Sequence, residues 1–168
     1  MPKIIENLES KLIEEAQKQV EQTGYGSLTI RSVAKACGVG VGTVYNYFPS
    51  KDDLLATYLL GDWQNCMTAV NSVSQQSDAP APVIRCMFDQ LLSYASRHQA
   101  IFRDEAAAAN FAGAFTRYHQ LLRSQLAAPI RKYCGSDFQA EFIAESLLTW
   151  SMSGKSFDEI YEILKNLF

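Results

Sequence analysis

Apolar side chains recur every three or four residues along almost the whole chain, and this helical period is the feature that most restricts its fold. In the first segment the apolar stripe runs from Ile4 to Val20, with glutamate, lysine and glutamine at the positions between. No segment shows the polar–apolar alternation typical of a strand, and the sequence has no internal repeat. The sequence therefore predicts an all-α protein.

Glycines, prolines and capping residues divide this pattern into successive helices. Gly24 and Gly38 end the first two segments, and Pro49 ends a short third one. Residues 50–53 have the composition of a capping box and begin a fourth helix. Residues 74–82, rich in serine, glutamine and proline, form the single linker-like stretch.

We expect two domains from this division: an N-terminal three-helix domain at residues 1–50 and a C-terminal helical domain at residues 51–168. Within the second, the pattern predicts one helical stretch at residues 101–114 and another at 115–126, before Pro129 interrupts the helix.

The charge distribution indicates no general affinity for nucleic acid. The net charge is −3, and residues 1–60 contain six basic and seven acidic side chains. A basic footprint is the usual compositional sign of nucleic-acid binding, so any such function must rest on the geometry of a motif.

Composition also restricts location and chemistry. The apolar runs are too short for a membrane span and residues 1–17 lack the pattern of a signal peptide, so we expect a cytoplasmic protein with no membrane partner. The four cysteines are irregularly spaced, which favours reduced, buried thiols, with redox sensing as the alternative. Without a CxxC pair, and with two histidines 21 residues apart, neither a metal site nor another cofactor is expected.

The sequence carries no signature of catalysis. It contains no GxSxG, HExxH, P-loop or GxGxxG after a strand. The glycines at residues 38–42 lead from a turn into a short helix, which is not the context of a nucleotide-binding loop. We therefore expect that the protein is not an enzyme.

Residues 29–48 have the spacing of a helix-turn-helix. Ala34 stands where two helices cross and only a small side chain fits, and Gly38 stands where the turn requires a positive φ. Val44, six residues later, falls where the second helix inserts into the core. The first helix would supply the third wall of this small core.

The motif resembles the signature of TetR-type (TetR/AcrR) helix-turn-helix transcriptional regulators. The matching elements are Thr29, the pair Val33-Ala34, the turn Gly38-Val39, and the ending Tyr45-x-x-Phe48-x-x-Lys51. The resemblance covers the N-terminal third of the chain. It implies a homodimer that binds a palindromic operator in double-stranded DNA, with a C-terminal domain for effector binding and dimerisation.

The resemblance also implies which residues contact DNA, with residues 40–47 in the major groove. The expected DNA-binding residues are Thr29, Gly40, Val41, Gly42, Thr43, Tyr45, Asn46, Tyr47 and Lys51.

Six of these residues have a more specific expected role. Thr43 and Asn46 would bond bases or phosphates, and Val41 would touch a thymine methyl group. Phosphates would be held by Thr29, Tyr45 and Lys51. Because many relatives carry a polar or charged residue where Val41 stands, we expect modest base readout and some dependence on DNA shape. Tyr45 and Phe48 could instead be core aromatics, and Thr29 a helix cap.

The helices that follow, rich in aromatic and sulfur-containing residues, suit an apolar ligand pocket with a few polar anchors. The candidate ligand-binding residues are Trp63, Met67, Phe88, Tyr94, Phe102, Phe111, Phe115 and His119. A plain core explains the same pattern.

The last two helices are apolar enough to pair with those of a second copy as a four-helix bundle, which is where the resemblance implies dimerisation. The candidate interface residues are Phe138, Phe142, Leu147, Trp150, Ile160 and Leu164. An intramolecular core is again the alternative.

These observations predict a ligand-responsive, sequence-specific transcriptional regulator, most simply a repressor that a small-molecule effector releases from its operator. The alternative is a helical DNA-binding or interaction module that a protein partner controls without a small-molecule inducer. The small size of the helical domain and the lack of net positive charge in residues 1–60 favour that alternative.

Overall fold

The computed structural model of the protein describes residues 7–168, without the side chains of residues 106, 108 and 110–117. Its α-helices are α1 (Leu8–Thr23), α2 (Ile30–Ala36), α3 (Val41–Tyr45), α4 (Lys51–Gln76), α5 (Pro80–Arg97), α6 (Gln99–Phe102), α7 (Glu105–Ala127), α8 (Asp137–Ser151) and α9 (Phe157–Leu164). Short 3₁₀ turns occur at Tyr25–Ser27, Ala128–Tyr133 and Lys165–Leu167. No strand occurs within residues 7–168, and the predicted all-α class is confirmed.

The helix boundaries follow the capping residues, and they differ from the prediction in residues 101–126. The predicted stretch at residues 101–114 is broken, because Asp104 accepts a hydrogen bond from the Ala107 N–H (3.0 Å) and begins α7, which then runs without interruption to Ala127. Ser136 precedes α8 as its N-cap, accepting a hydrogen bond from the Gln139 N–H at 3.2 Å. Pro129 interrupts the helix after α7, as predicted.

The chain divides into two compact units. The first unit comprises the residues up to Asp62 together with His98–Asn110, and the second comprises Trp63–Arg97 and Phe111–Phe168. The division therefore lies within α4, whereas the sequence placed a boundary after residue 50. The fully buried Leu54 and Leu55 belong to the core of the first unit.

The core of the first unit joins α1, α2 and α3. α1 contributes one buried face, and α2 packs against both α1 and α3. Its buried residues include Leu12, Ala16, Val20, Leu28, Val33, Ala34, Val44 and Phe48.

In the second unit α5 packs against α8, α9 and the 3₁₀ turn that follows α7. The Lys132 ammonium in that turn holds the end of α4, donating hydrogen bonds to the backbone oxygens of Ser74 (2.5 Å) and Ser77 (2.9 Å). Within residues 7–168, no helix is both long enough and apolar enough to cross a membrane.

Candidate nucleic-acid interface

α2 and α3 form the predicted helix-turn-helix, and its turn is built on Gly38. That residue has a φ of 68°, in the left-handed region that favours glycine. The Val39 N–H then donates to the Ala34 oxygen across 3.0 Å and closes the turn. Ala34 and Val44 are both buried in the small core, as their spacing predicted.

The outer surface around α3 consists of uncharged residues. Gly42, Tyr45, Asn46 and Tyr47 are exposed, and we call this set the α3 surface. Tyr45 is 53% exposed and Tyr47 is 46% exposed, so neither serves as a core aromatic. A side chain at Gly42 would meet no atom within 4 Å, so packing within the chain does not require glycine there.

Beside this surface, Val41 and Thr43 are half-buried and Gly40 is exposed. Gly40 is the residue before α3 and has an extended backbone, with φ −71° and ψ 148°. Phe48 is buried, in agreement with the alternative that it belongs to the core.

The start of α2 is held by a reciprocal cap. The Ser32 N–H donates to Thr29 Oγ1 across 3.0 Å, and the Thr29 N–H donates to Ser32 Oγ across 3.2 Å. The Ser32 hydroxyl also donates to Gln19 Oε1 on α1, at 2.6 Å. Thr29 therefore acts as a helix cap in this structure, and its exposure leaves it open to an external phosphate.

The start of α4 carries a side-chain cap at the position where the sequence predicted a capping box. The Asp53 N–H donates to Ser50 Oγ at 3.1 Å, and the Ser50 hydroxyl donates to Asp53 Oδ2 at 2.7 Å. The adjacent Lys51 ammonium donates to the Tyr25 backbone oxygen at 3.2 Å and lies 3.9 Å from the centre of the Tyr25 ring. Tyr25 is buried, and its hydroxyl donates to Asp52 Oδ1 at 2.6 Å. The sequence interpretation missed this role of Tyr25, because no local pattern links residues 25 and 52.

The predicted ligand-binding residues do not form one group. Trp63 and Tyr94 meet edge to face, with ring centres 5.5 Å apart, and Met67 is also buried in the second unit. Phe88 instead contacts Phe157, at 5.6 Å between ring centres. The remaining described candidates, Phe102 and His119, contact other groups.

Phe102 lies in the first unit and contacts the buried His98 ring. His119 is half-exposed, and its Nε2 lies 2.9 Å from Glu145 Oε1. The candidates Phe111 and Phe115 lie outside the described side chains.

Polar partners that the sequence did not reveal surround Trp63 and Tyr94. The Trp63 indole N–H donates to Gln125 Oε1 at 2.5 Å, and the Tyr94 and Tyr118 hydroxyls are hydrogen-bonded to each other. These partners are separated by 62 and 24 residues, so helical periodicity alone could not pair them.

The candidate interface residues separate into two groups. Phe138, Phe142 and Trp150 on α8 are exposed, by 76%, 49% and 50%. In contrast, Leu147, Ile160 and Leu164 are buried within the chain and belong to its own core. The exposed set also includes Ile163 on α9, which the sequence interpretation did not select.

The described residues provide no metal site: no cluster of three or more histidine, cysteine or acidic side chains could hold an ion.

None of the four cysteines forms a disulfide. Burial raises the pKa of the Cys37, Cys86 and Cys134 thiols above the usual 9.0. These thiols are therefore protonated at neutral pH, which disfavours redox sensing through them.

Comparison with known proteins supports the assignment of this domain. Residues 12–58 match the model of "bacterial regulatory proteins, tetR family". A Bacillus subtilis protein, the uncharacterized HTH-type transcriptional regulator YuxN, is 34% identical over 77 residues, which are 46% of this chain and 26% of that protein. The chain spans half or less of the length of this and other curated relatives that it matches.

Two solved structures share the fold over almost the whole chain. A transcriptional regulator from Cytophaga hutchinsonii matches with a TM-score of 0.65 and 20% identity, covering 93% of this chain and 90% of the other. A TetR transcriptional regulator from Legionella pneumophila matches with a TM-score of 0.57 and 15% identity, covering 97% and 98%. The sequence match and the helix-turn-helix geometry agree that residues 12–58 are similar to the N-terminal domain of the bacterial regulatory proteins of the tetR family.

Proposed function

We propose that the protein is a dimeric transcriptional regulator that binds a palindromic operator through the α3 surface. One observation carries the proposal: two tyrosines and an asparagine are exposed next to each other on a helix-turn-helix whose own core needs none of them. Large apolar side chains that are exposed next to each other indicate a binding surface.

The chemistry of the α3 surface, and of Val41 beside it, suits the major groove. The Asn46 amide can pair with the N6 and N7 atoms of adenine, and Val41 can pack on a thymine methyl group. The absence of a side chain at Gly42 permits close approach to the DNA backbone. Thr29 and Lys51, at the starts of α2 and α4, would then contact phosphates and fix the orientation of α3.

Dimerisation follows from the size of one such surface, because a single helix-turn-helix buries too little area for tight, specific binding. The exposed Phe138, Phe142 and Trp150 of α8 offer the apolar face that a second copy would cover. A homodimer joined there would read two half-sites of a palindrome.

We further propose repression that a small apolar or aromatic effector relieves by binding in the second unit. Support comes from the grouping of Trp63 and Tyr94, whose polar atoms are matched by Gln125 and Tyr118. Effector binding would lower operator affinity by a coupling free energy of about 1–3 kcal/mol.

The first test is a binding selection from genomic fragments with the purified protein, followed by footprinting of the selected DNA. We expect a protected palindrome whose half-site centres are about one or more helical turns apart. Asn46→Ala should weaken operator binding, whereas the matched change Asn166→Ala on the exposed end of the second unit should not. Equal binding by both variants, or retention without sequence preference, would contradict the proposal.

The second test concerns the effector. A ligand that binds only the native state must raise the melting temperature, and an inducer must also release the operator. A screen of apolar and aromatic compounds that yields no shift, together with operator release by a co-purifying protein, would favour the partner-controlled module.

A further inference from the structure

We infer that Tyr25 is a positioning residue for DNA binding: with Asp52, it fixes the Lys51 ammonium where that group can meet a DNA phosphate. The inference rests on the proposed function and explains how one of its phosphate contacts is prepared before DNA arrives.

The geometry joins three side chains of the first unit. The Tyr25 hydroxyl donates to Asp52 Oδ1 at 2.6 Å, and the Lys51 Nζ lies 3.9 Å from the centre of the same ring. Lys51 and Asp52 are the first two residues of α4, so the start of that helix presents a cation to the face of the ring and an anion to its hydroxyl. Only 1% of Tyr25 is exposed, so the ring is a fixed platform.

These contacts reinforce one another. A phenol that donates to a carboxylate gains electron density in its ring, and the face of such a ring attracts a cation more strongly. Lys51 thus loses side-chain freedom on folding rather than on binding, which lowers the entropic cost of a later phosphate contact.

The Lys51 ammonium remains able to bind an anion in this position. It has three N–H donors, and among the described residues only the Tyr25 backbone oxygen accepts from it, at 3.2 Å. The group is half-buried rather than enclosed, so a phosphate oxygen can approach from solvent.

Tyr25 also connects the two helix starts that the proposed function places at phosphates. Its backbone oxygen accepts from the Leu28 N–H at 3.2 Å as well as from Lys51, and Leu28 immediately precedes the cap residue Thr29. The turn after α1 therefore fixes the approach to α2 and the start of α4 together.

The test is a double-mutant cycle on operator affinity, measured at several salt concentrations. The proteins compared are the wild type, Lys51→Met, Tyr25→Leu and the double variant, with Lys165→Met in the second unit as the control. Lys51→Met should weaken binding about tenfold for each half-site, because it removes one charge-assisted hydrogen bond there. It should also lower the slope of log affinity against log salt by about 0.9 for each half-site, which is about 1.8 for a dimer on its palindrome.

Tyr25→Leu should reproduce both the loss of operator affinity and the lower salt slope. The double variant should bind the operator no worse than Lys51→Met alone. A milder variant guards against misfolding: Tyr25→Phe keeps the ring and removes the bond to Asp52, and should weaken binding about threefold. In the free protein, the Lys51 Hε protons should resonate upfield over the ring, and Tyr25→Leu should abolish that shift.

The inference is overturned if the loss of operator affinity in the double variant equals the product of the losses in Lys51→Met and Tyr25→Leu. It is also overturned if Lys51→Met leaves the salt slope unchanged. In either case Lys51 only connects α4 to the turn after α1 and does not contact a phosphate that Tyr25 prepares it for. Wild-type protein that selects no DNA sequence would overturn the proposed function, and this inference with it. The two failures are distinguishable because the first leaves wild-type operator binding intact.

Discussion

Ser32 on α2 donates its hydroxyl hydrogen to Gln19 Oε1 on α1 across 2.6 Å, and its oxygen accepts the Thr29 N–H across 3.2 Å. One hydroxyl group therefore closes the cap of α2 and joins that helix to α1. Gln19 is itself oriented, because its amide donates to Glu15 Oε1 at 2.8 Å.

We expect Ser32→Ala to lower the free energy of unfolding by about 1–2 kcal/mol, because it removes half of the reciprocal cap and the bond to Gln19. Urea denaturation followed by circular dichroism measures the change. Ser10→Ala, an exposed substitution on α1, is the control and should stay within about 0.5 kcal/mol of the wild type. Similar values for the two variants would show that the Ser32 hydroxyl contributes nothing to stability.

The sequence alone predicts the helices and the helix-turn-helix, because the determining signals are local. Gly38 must adopt a positive φ, Ala34 must be small at the crossing, and Ser50 caps the helix that it precedes. Each signal lies within a few residues of its effect.

The contacts that the sequence does not predict join residues far apart along the chain. Trp63 and Gln125, or Tyr25 and Asp52, meet only because helices pack in one register, which periodicity does not determine.

In α8, too, helical periodicity does not determine which residues are buried. Its apolar residues occupy nearly every face, so the sequence could not distinguish the exposed Phe138 from the buried Leu147.

The two faces of α8 should respond differently to substitution. We expect Phe142→Glu to shift the protein from dimer to monomer in sedimentation experiments with little loss of stability, because this side chain is half-exposed. Leu147→Ala should instead lower the free energy of unfolding by about 2–5 kcal/mol, because it empties a fully buried position. A stable dimer of the Phe142 variant would place the contact between copies elsewhere.

The partly exposed cysteines should react slowly with thiol reagents at neutral pH. Burial raises the pKa of the Cys37, Cys86 and Cys134 thiols, and at Cys37 the neighbouring Glu15 carboxylate raises it further. A raised pKa leaves less thiolate at pH 7, so iodoacetamide should alkylate these residues more slowly than a free cysteine peptide. Mass spectrometry of timed samples measures each rate across pH. A rate that is already maximal at pH 7 at any of the three would restore redox sensing as a function.

α9 should lose its cap only in strong acid. The Ser156 backbone N–H donates to Glu159 Oε2 at 2.9 Å, and this bond, followed by the Lys155 ammonium, lowers the pKa of Glu159 from its usual 4.5 to about 2. The lowered pKa means that the cap stabilises α9 fully above pH 4.5 and is lost as the pH falls through about 2. The carboxyl carbon resonance of Glu159 should therefore titrate near pH 2, and Lys155→Met should move that midpoint upward while leaving the backbone bond in place. A midpoint at 4.5 in the wild type would mean that the bond to Ser156 is not maintained in solution.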